Sequence, residues 1–428
     1  MRTKILNVYV IAIVLGIFTG IAGSLLILAI SGVSYLMVKG FSYVQLQGWP
    51  VGIVSAVVSM AMVYTAWLLV RGYAPEASGS GVQEIEGALA HERPVLWRRV
   101  LPVKFFGGVL SIASNLVVGR EGPTIQIGGN LGAMLAEWLH LSRHHRDALI
   151  AAGSAGGLAT AFNAPLAGIL FVLEEMRSEF RFSFTNFTAV AICCVVSTIV
   201  LHMIIGSAPA IPMAVFSLPS LRSLILFFIF GLVVGLVGLL FNIVLMKSLY
   251  KIDKLNPRMR DIYVILVGLL VGYLAYRTPE AVGGGYDIIE KSLTMSPSLD
   301  VLLVIVVVRF TTTMLSYNTG VPGGIFAPML ALGTLLGLAA SQVLGWLMAD
   351  MSVHPGMFAV AGMGALFAAV VRAPVTGIVL VVEMTQNYSL ILPLMVTCLT
   401  ATIIVQMAGN EPIYTQLLYR TLRKQVKG

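Results

Sequence analysis

The chain has 428 residues, of which 58% are hydrophobic and only 11% are charged, and its mean hydropathy is +0.92. Because a soluble globular chain carries about 25% charged residues, this composition excludes a soluble enzyme, a nucleic-acid-binding protein and a disordered chain. The formal net charge of +8 comes from loop lysines and arginines and indicates topology rather than a nucleic-acid surface. At about 20 residues per span the length allows roughly ten or more crossings, so we expect an all-α polytopic membrane protein.

Long apolar runs follow one another along the chain with no polar block large enough for a soluble domain. The first run is too long for the core of a signal peptide, so we interpret it as a retained span. All three cysteines fall inside apolar stretches and are predicted to be small buried residues rather than a disulfide or metal framework. They are Cys193, Cys194 and Cys398. The runs cover residues 5–38, 51–70, 100–118, 124–140, 147–173, 183–216, 220–249, 261–276, 299–317, 325–349, 356–382 and 388–408.

The distribution of lysine and arginine predicts the orientation of the spans. Both termini are basic, so both are expected to be cytoplasmic, together with the basic loops at 143–146, 177–181 and 247–260. The loop at 277–298 leans acidic, which suits the outside. Residues 409–428 read as a basic cytoplasmic tail, and we expect one transmembrane domain over 1–428 without a cytosolic regulatory domain.

A broken helix pair and a repeat follow from this topology. The run 147–173 must begin and end inside, and the sequence Phe162-Asn163-Ala164-Pro165 supplies a break, since proline removes a backbone donor and restricts the residue before it. The pattern recurs 209 residues later, because 153–176 and 362–385 share eight identities in 24 positions. We predict an inverted-topology repeat with halves at roughly 51–205 and 220–408. The alternative is chance similarity between two helices rich in glycine and alanine.

Three glycine-rich segments open apolar helices and are candidates for an ion site. Glycine lets the backbone approach an ion closely, and a helix N-terminus presents unpaired N–H groups that attract anions. Several such termini together would hold an anion without full positive charges, which favours its release. The alternative is that they are ordinary loop ends. The segments comprise Gly79, Ser80, Gly81, Val82 and Gln83; Gly119, Arg120, Glu121, Gly122 and Pro123; and Gly324, Ile325, Phe326, Ala327 and Pro328.

These segments, in this order and spacing, resemble the three filter segments of the CLC family of chloride channels and proton-coupled chloride antiporters. The resemblance covers nearly the whole chain and is most similar to the bacterial antiporter branch. One departure is Gln83, where the family's first segment usually ends in proline, and this should alter the helix start slightly. Further matching motifs are EIEGAL (84–89), LPVKFFGG (101–108), GREGPTIQIGGN (119–130), FNAPLAGILF (162–171), APMLALGT (327–334) and Pro412-Ile413-Tyr414.

The resemblance implies an anion site and its ligands. It assigns Ser80 and Tyr414 as hydroxyl donors to a central chloride, and the backbone N–H groups of Ile325 and Phe326 as further donors. A hydroxyl is a neutral donor that orients toward an anion without adding charge. The plainer alternatives are that Ser80 caps a helix and that Tyr414 belongs to an interfacial aromatic belt.

Two acids are implied to carry protons. Glu121 lies between an arginine and a glycine in the second segment, where its carboxylate would compete with the anion until it is protonated; the alternative is an ion pair with Arg120. Glu175 would be the inner acid of a separate proton path, and the alternative is an interfacial charge near Arg177. The second repeat has Met384 at the position of Glu175, whereas Glu174 recurs as Glu383 and is better explained structurally.

The resemblance therefore implies a homodimeric H⁺/Cl⁻ antiporter in the bacterial inner membrane. Chloride and protons would be its substrates and the bilayer its surroundings, with no cofactor, metal or nucleic acid. Ser80 favours chloride over nitrate or fluoride. The alternative is a passive chloride channel that uses the same filter without obligatory proton movement. An intramembrane enzyme would need a nucleophile–base pair or a metal-ligand set within the apolar runs, and none is evident.

Overall fold

The computed structural model describes residues 2–176, 183–217, 220–294, 297–347 and 353–427. Within these ranges the chain is built of α-helices and contains two isolated β-bridges but no strands, which confirms the all-α class. Eight of the described helices are long and apolar enough to cross a bilayer. The predicted basic loop at 177–181 lies outside the described residues.

Most helices coincide with the apolar runs, and three short helices lie outside them. The first half comprises α1 (Arg2–Leu46), α2 (Val51–Tyr73), α3 (Val82–Leu89), α4 (Trp97–Ala113), α5 (Glu121–Trp138), α6 (Arg143–Phe162), α7 (Pro165–Glu174) and α8 (Phe184–Ile204). The second comprises α9 (Leu224–Ile252), α10 (Pro257–Arg277), α11 (Tyr286–Thr294), α12 (Leu299–Asn318), α13 (Phe326–Leu347), α14 (Pro355–Val371), α15 (Pro374–Thr385), α16 (Ile391–Met407) and α17 (Ile413–Lys427). The run 356–382 is divided into α14 and α15, and the short helices α3, α11 and α17 lie outside the runs.

The predicted helix break is present in both halves. Asn163 ends α6 in the left-handed conformation (φ 54°), and Pro165 begins α7. Arg372 ends α14 in the same conformation (φ 64°), and Pro374 begins α15. The left-handed residue reverses the chain, and proline at the first helical position needs no N–H donor, so the next helix starts at once.

Equivalent close contacts recur in the two halves. Glycines allow α5 to touch α6 and α13 to touch α14, since a Cβ on either Gly128 or Gly333 would collide with a carbonyl of the adjacent helix. In the same way, Gly16 of α1 lies against α8 and Gly231 of α9 lies against α16. Because α1 thus has the place in the first half that α9 has in the second, we infer that the first repeat extends into α1, before residue 51.

The helices α7 and α15 run antiparallel, and each ends with a glutamate that caps the start of the other. Glu383, near the end of α15, accepts hydrogen bonds from the backbone N–H groups of Leu166 (3.0 Å) and Ala167 (2.8 Å) at the start of α7. Glu174, at the end of α7, accepts from Val375 (3.1 Å) and Thr376 (2.6 Å) at the start of α15. Each carboxylate accepts from N–H groups that have no partner within their own helix. It also lies at the N-terminus of that helix, which is the positive end of the helix dipole. This capping role explains why a glutamate occurs at the equivalent position in both halves.

We expect Glu383→Gln to lower the free energy of unfolding by about 1–3 kcal/mol, because the amide keeps one acceptor oxygen but loses the charge. The measurement is the thermal melting temperature of the purified protein in detergent. Glu92→Gln is the matched control, since Glu92 is an exposed glutamate. Equal melting temperatures for the two variants would contradict the capping role.

Residues predicted as a basic tail form the helix α17, which returns against the bundle. Its apolar face is buried at Ile413, Tyr414 and Leu417. Its basic face is tied to the end of α9, where Asp253 Oδ1 lies 2.6 Å from Arg420 Nη2 and 2.7 Å from Lys424 Nζ. Burial raises the pKa of Asp253, but these two cations outweigh it and hold that pKa below its ordinary value. The stabilisation is therefore present above the ordinary pKa and is lost as pH falls through the lowered one.

Candidate functional site

The three glycine-rich segments meet at one place in the interior. Gly119 and Gly324 exchange both backbone hydrogen bonds, each with a nitrogen–oxygen distance of 2.7 Å. Gly79 N donates to Val321 O at 3.2 Å, and Gly323 N donates to Gly79 O at 3.0 Å. The segment of α13 thus lies between the other two and holds their backbones together.

Each segment opens a helix, as the sequence predicts. The helices α3, α5 and α13 begin at Val82, Glu121 and Phe326, within or directly after the glycines. Glycine is required at two of these positions. Gly81 has φ +86° and leaves no room for a Cβ beside the Gln126 side chain, and a Cβ on Gly122 would collide with Ser80. α3 begins one residue before Gln83, so the absence of proline does not prevent the helix start.

Two buried hydroxyl groups are directed into this junction. Ser80 Oγ and Tyr414 Oη are inaccessible to solvent, and neither makes a hydrogen bond of 3.5 Å or less with suitable angles to a described residue. Buried polar groups are nearly always hydrogen-bonded, so two such hydroxyls at converging helix N-termini favour an anionic ligand. Ser80 makes no side-chain cap of α3, and Tyr414 is fully buried, which opposes the two plainer alternatives.

An aromatic cluster fixes the position of the Tyr414 hydroxyl. The ring of Tyr414 stacks on Phe326 with centroids 5.7 Å apart and planes 24° apart. Phe326 also contacts Phe162, Phe171 and Phe367 at centroid distances of 6.2, 6.1 and 5.1 Å. These rings exclude water from one side of the junction. Hydrogen bonds to an anion are stronger in such low-dielectric surroundings.

Glu121 is fully buried at the start of α5. Its Oε1 accepts a hydrogen bond from Tyr286 Oη at 2.7 Å, and its Oε2 lies so close to Gly119 that a Cβ there would collide with it. Arg120 directs its guanidinium elsewhere, to Ala161 O at 3.3 Å and over the Tyr286 ring at 4.8 Å. The alternative of an Arg120–Glu121 ion pair is therefore not what the structure shows.

Glu175 follows α7 directly and is half-buried. Its neighbour Glu174 is turned to the start of α15. The two adjacent glutamates therefore lie in different surroundings.

Lys104 and Tyr317 hold the first segment from two sides. Lys104 is fully buried and its Nζ donates to the carbonyls of Ala77 (3.1 Å) and Gly79 (2.7 Å). In a trans peptide the N–H points opposite to the carbonyl, so the N–H of Ser80 points away from Lys104. It reaches Tyr317 Oη at 3.4 Å. Lys104 therefore orients this peptide rather than binding a ligand directly.

A cavity of about 470 Å³ leads to the same segment. Ser78, Gly79 and Tyr317 are among its lining residues, together with five basic and two acidic side chains. A cavity with this balance concentrates anions near its surface. The basic residues are Arg71, Arg93, Arg260, Arg420 and Lys424.

Sequence reasoning missed Tyr286 and Tyr317. Tyr317 lies at the end of an apolar run, where its hydroxyl gave no signal. Tyr286 follows Gly283-Gly284-Gly285 in a stretch that reads as a polar loop. A glycine run directly before an aromatic residue, opposite a segment containing a lone acid, is the signal that could have found it.

The chain is similar to known transporters over nearly its whole length. The profile of a family described as voltage gated chloride channels matches residues 62–406. The H(+)/Cl(−) exchange transporter ClcA of Vibrio parahaemolyticus is 43% identical over 421 residues, which cover 97% of this chain and 90% of the relative. The transporter of the same name from Salmonella arizonae is 43% identical over 424 residues, with 98% and 90% covered.

Solved structures agree with these sequence relatives. The crystal structure of a slow cyanobacterial Cl⁻/H⁺ antiporter matches with a TM-score of 0.94 and 38% identity, covering 98% of both chains. The structure of a eukaryotic CLC transporter matches with a TM-score of 0.83 and 24% identity over 98% of this chain and 75% of that one. The second likeness is one of fold alone.

Proposed function

The chain belongs to the voltage-gated chloride channel (CLC) family, and from this premise we propose that it is a multi-pass membrane transporter that exchanges chloride for protons. The observation that carries the proposal is the pair of unpartnered, buried hydroxyls of Ser80 and Tyr414 where three helices begin. Relatives that cover most of the chain are named exchange transporters, which favours antiport over a passive channel.

In this proposal the central chloride is bound by neutral donors. Ser80 and Tyr414 donate through their hydroxyls, and Ile325 and Phe326 donate through their backbone N–H groups at the start of α13. The dipole of α13 adds a partial positive charge at the same point. Because no lysine or arginine is a direct ligand, the ion is held weakly enough to leave again.

Glu121 is proposed as the outer gate. Its carboxylate lies over Gly119 in the second segment and excludes a second anion from that position by charge and by volume. Uptake of a proton removes the charge, and the neutral side chain can then leave to let an anion enter. When the anion has passed and the proton is released, the carboxylate returns, so proton and chloride movements alternate.

Glu175 is proposed as the inner proton acceptor. A proton path that ends at Glu175 leaves the basic cavity to the anion, so the two substrates reach the junction by different routes. The basic cavity concentrates chloride next to the first segment. With the predicted topology, the cavity opens on the cytoplasmic side because α17 lines it, and the proton route does so because Glu175 precedes the basic loop at 177–181.

We further propose a bacterial inner-membrane location with both termini cytoplasmic, and a homodimer with one complete pathway in each subunit. The basic termini and loops support the orientation, and the bacterial relatives support the location. The dimer rests on the family resemblance. Cross-linking in native membranes tests the dimer, and accessibility of an engineered terminal cysteine to a membrane-impermeant reagent tests the orientation.

The deciding experiment is proton flux in liposomes that contain the purified protein. An outward chloride gradient should drive protons inward against their own gradient, and the reversal potential should move with a pH difference across the membrane. A passive chloride channel would show chloride current with a reversal potential independent of pH. That second result would overturn the exchange proposal.

The hydroxyl ligands give a separate prediction. We expect Ser80→Ala and Tyr414→Phe each to weaken chloride binding about tenfold, the loss of one hydrogen bond to a charged ligand. Isothermal titration calorimetry measures the chloride dissociation constant. Tyr388→Phe removes an exposed tyrosine hydroxyl and serves as the control. Unchanged chloride affinity in both site variants would place the anion elsewhere.

A further inference from the structure

Tyr286 makes a direct contact with Glu121, the proposed gate. Neither the anion site nor the proton route described above requires this contact. The Tyr286 hydroxyl donates to Glu121 Oε1 at 2.7 Å, a distance typical of a hydrogen bond to a charged oxygen. Tyr286 is the first residue of α11 and lies 165 residues from Glu121 along the chain. The contact is therefore built by the tertiary structure.

The loop before Tyr286 is anchored so that the hydroxyl is held at a fixed position. Arg309 is buried in α12 and donates to the loop carbonyls of Glu280 (3.1 Å), Val282 (2.9 Å) and Gly283 (2.8 Å). Gly285 has φ +110°, and a Cβ there would lie 2.6 Å from the Cβ of Ala331 in α13. The loop is thus packed tightly between α12 and α13, the helix that begins at the anion site.

Arg120 also contacts the tyrosine ring. Its guanidinium carbon lies 4.8 Å from the centroid of the Tyr286 ring, a cation–π contact that orients the ring face. Among the described residues, the charged and titratable neighbours of Glu121 are Arg120, which precedes it in the chain, and Tyr286. Phe326 and Ala327, at the start of α13, are neither charged nor titratable. Asp287, next to Tyr286, is exposed to solvent.

From this geometry we propose that Tyr286 is a latch that holds the Glu121 carboxylate in the filter and so sets the pH at which the gate opens. The phenol donates a stronger hydrogen bond to a carboxylate than to a neutral carboxylic acid. It therefore favours the charged, seated form of Glu121 over the protonated form that leaves. Tyr286 is a positioning residue in this scheme, and the scheme rests on the proposed gating role of Glu121.

The test is Tyr286→Phe, which removes only the hydroxyl and keeps the ring that packs on Arg120. Chloride flux is measured in liposomes as a function of pH, together with the ratio of chloride to protons moved. Loss of one charged hydrogen bond should shift the midpoint of pH activation upward by about one pH unit, with the exchange ratio retained. Tyr276→Phe, which alters an exposed tyrosine of α10, should leave the midpoint unchanged.

Two further measurements separate failure of the latch from failure of the proposed function. An infrared titration of the Glu121 carboxyl in wild type and Tyr286→Phe reports protonation without transport, and the midpoint should shift upward in the variant. In a Glu121→Gln background, Tyr286→Phe should no longer change the pH dependence of flux. Coupled exchange in wild type with the same midpoint in Tyr286→Phe would overturn the latch alone. Absence of coupled exchange in wild type would overturn the proposed function itself.

Discussion

Glu121→Gln is expected to abolish proton transport while chloride still crosses the membrane. Glutamine has the shape of the protonated acid and cannot release a proton, so the filter stays in the state that admits an anion. Proton flux driven by a chloride gradient in liposomes should fall to the level of protein-free vesicles. Chloride flux in the same vesicles should continue and should no longer depend on pH.

The matched control for this variant is Glu137→Gln. Glu137 lies at the other end of the same helix, α5, and is exposed at the surface. Its replacement should leave both fluxes and their ratio unchanged. If the Glu121→Gln protein still pumped protons at the wild-type ratio, the outer proton acceptor would be another residue.

Glu175→Gln is expected to remove proton transport by blocking the inner end of the proton route. Chloride would still reach the filter through the basic cavity, so chloride flux should persist. The same vesicle assay measures both ions. The expected loss of proton flux is complete, because the other repeat offers Met384 rather than an acid at this position.

Glu174→Gln provides a sharp comparison, since the same change is made one residue away. Glu174 accepts from two backbone N–H groups at the start of α15, so its replacement should lower the melting temperature and leave the exchange ratio intact. If proton flux survived Glu175→Gln but vanished in Glu174→Gln, Glu174 rather than Glu175 would be the inner proton acceptor.

Much of the fold follows from local features of the sequence. The apolar runs predicted the long helices because a bilayer requires about 20 apolar residues per helical span. The breaks at Asn163 and Arg372 were visible because each is followed by Ala-Pro, which stops one helix and starts the next. The repeated motif also located the capping glutamates, but their partners became visible only when α7 and α15 were packed together.

Other features were hidden because they depend on contacts between distant segments. Residues 413–427 carry enough basic side chains to read as a tail, yet one face of that helix buries Tyr414 against Phe326. Tyr286 lies in a stretch without apolar periodicity, and Arg309 in α12 determines where its loop rests. The residue types of the anion site were predictable, whereas the side chains that hold the gate were not.

The exchange of carboxylates between α7 and α15 has a consequence for biosynthesis. The N–H groups of Leu166 and Ala167 await Glu383, which leaves the ribosome 217 and 216 residues later. At about 5–20 residues per second this delay is roughly 10–40 seconds. During that interval the first N–H groups of α7 lack the acceptor that they have in the complete fold. We therefore expect the first half to complete its folding only when the second half is present, so that two separately translated halves mature only when produced together.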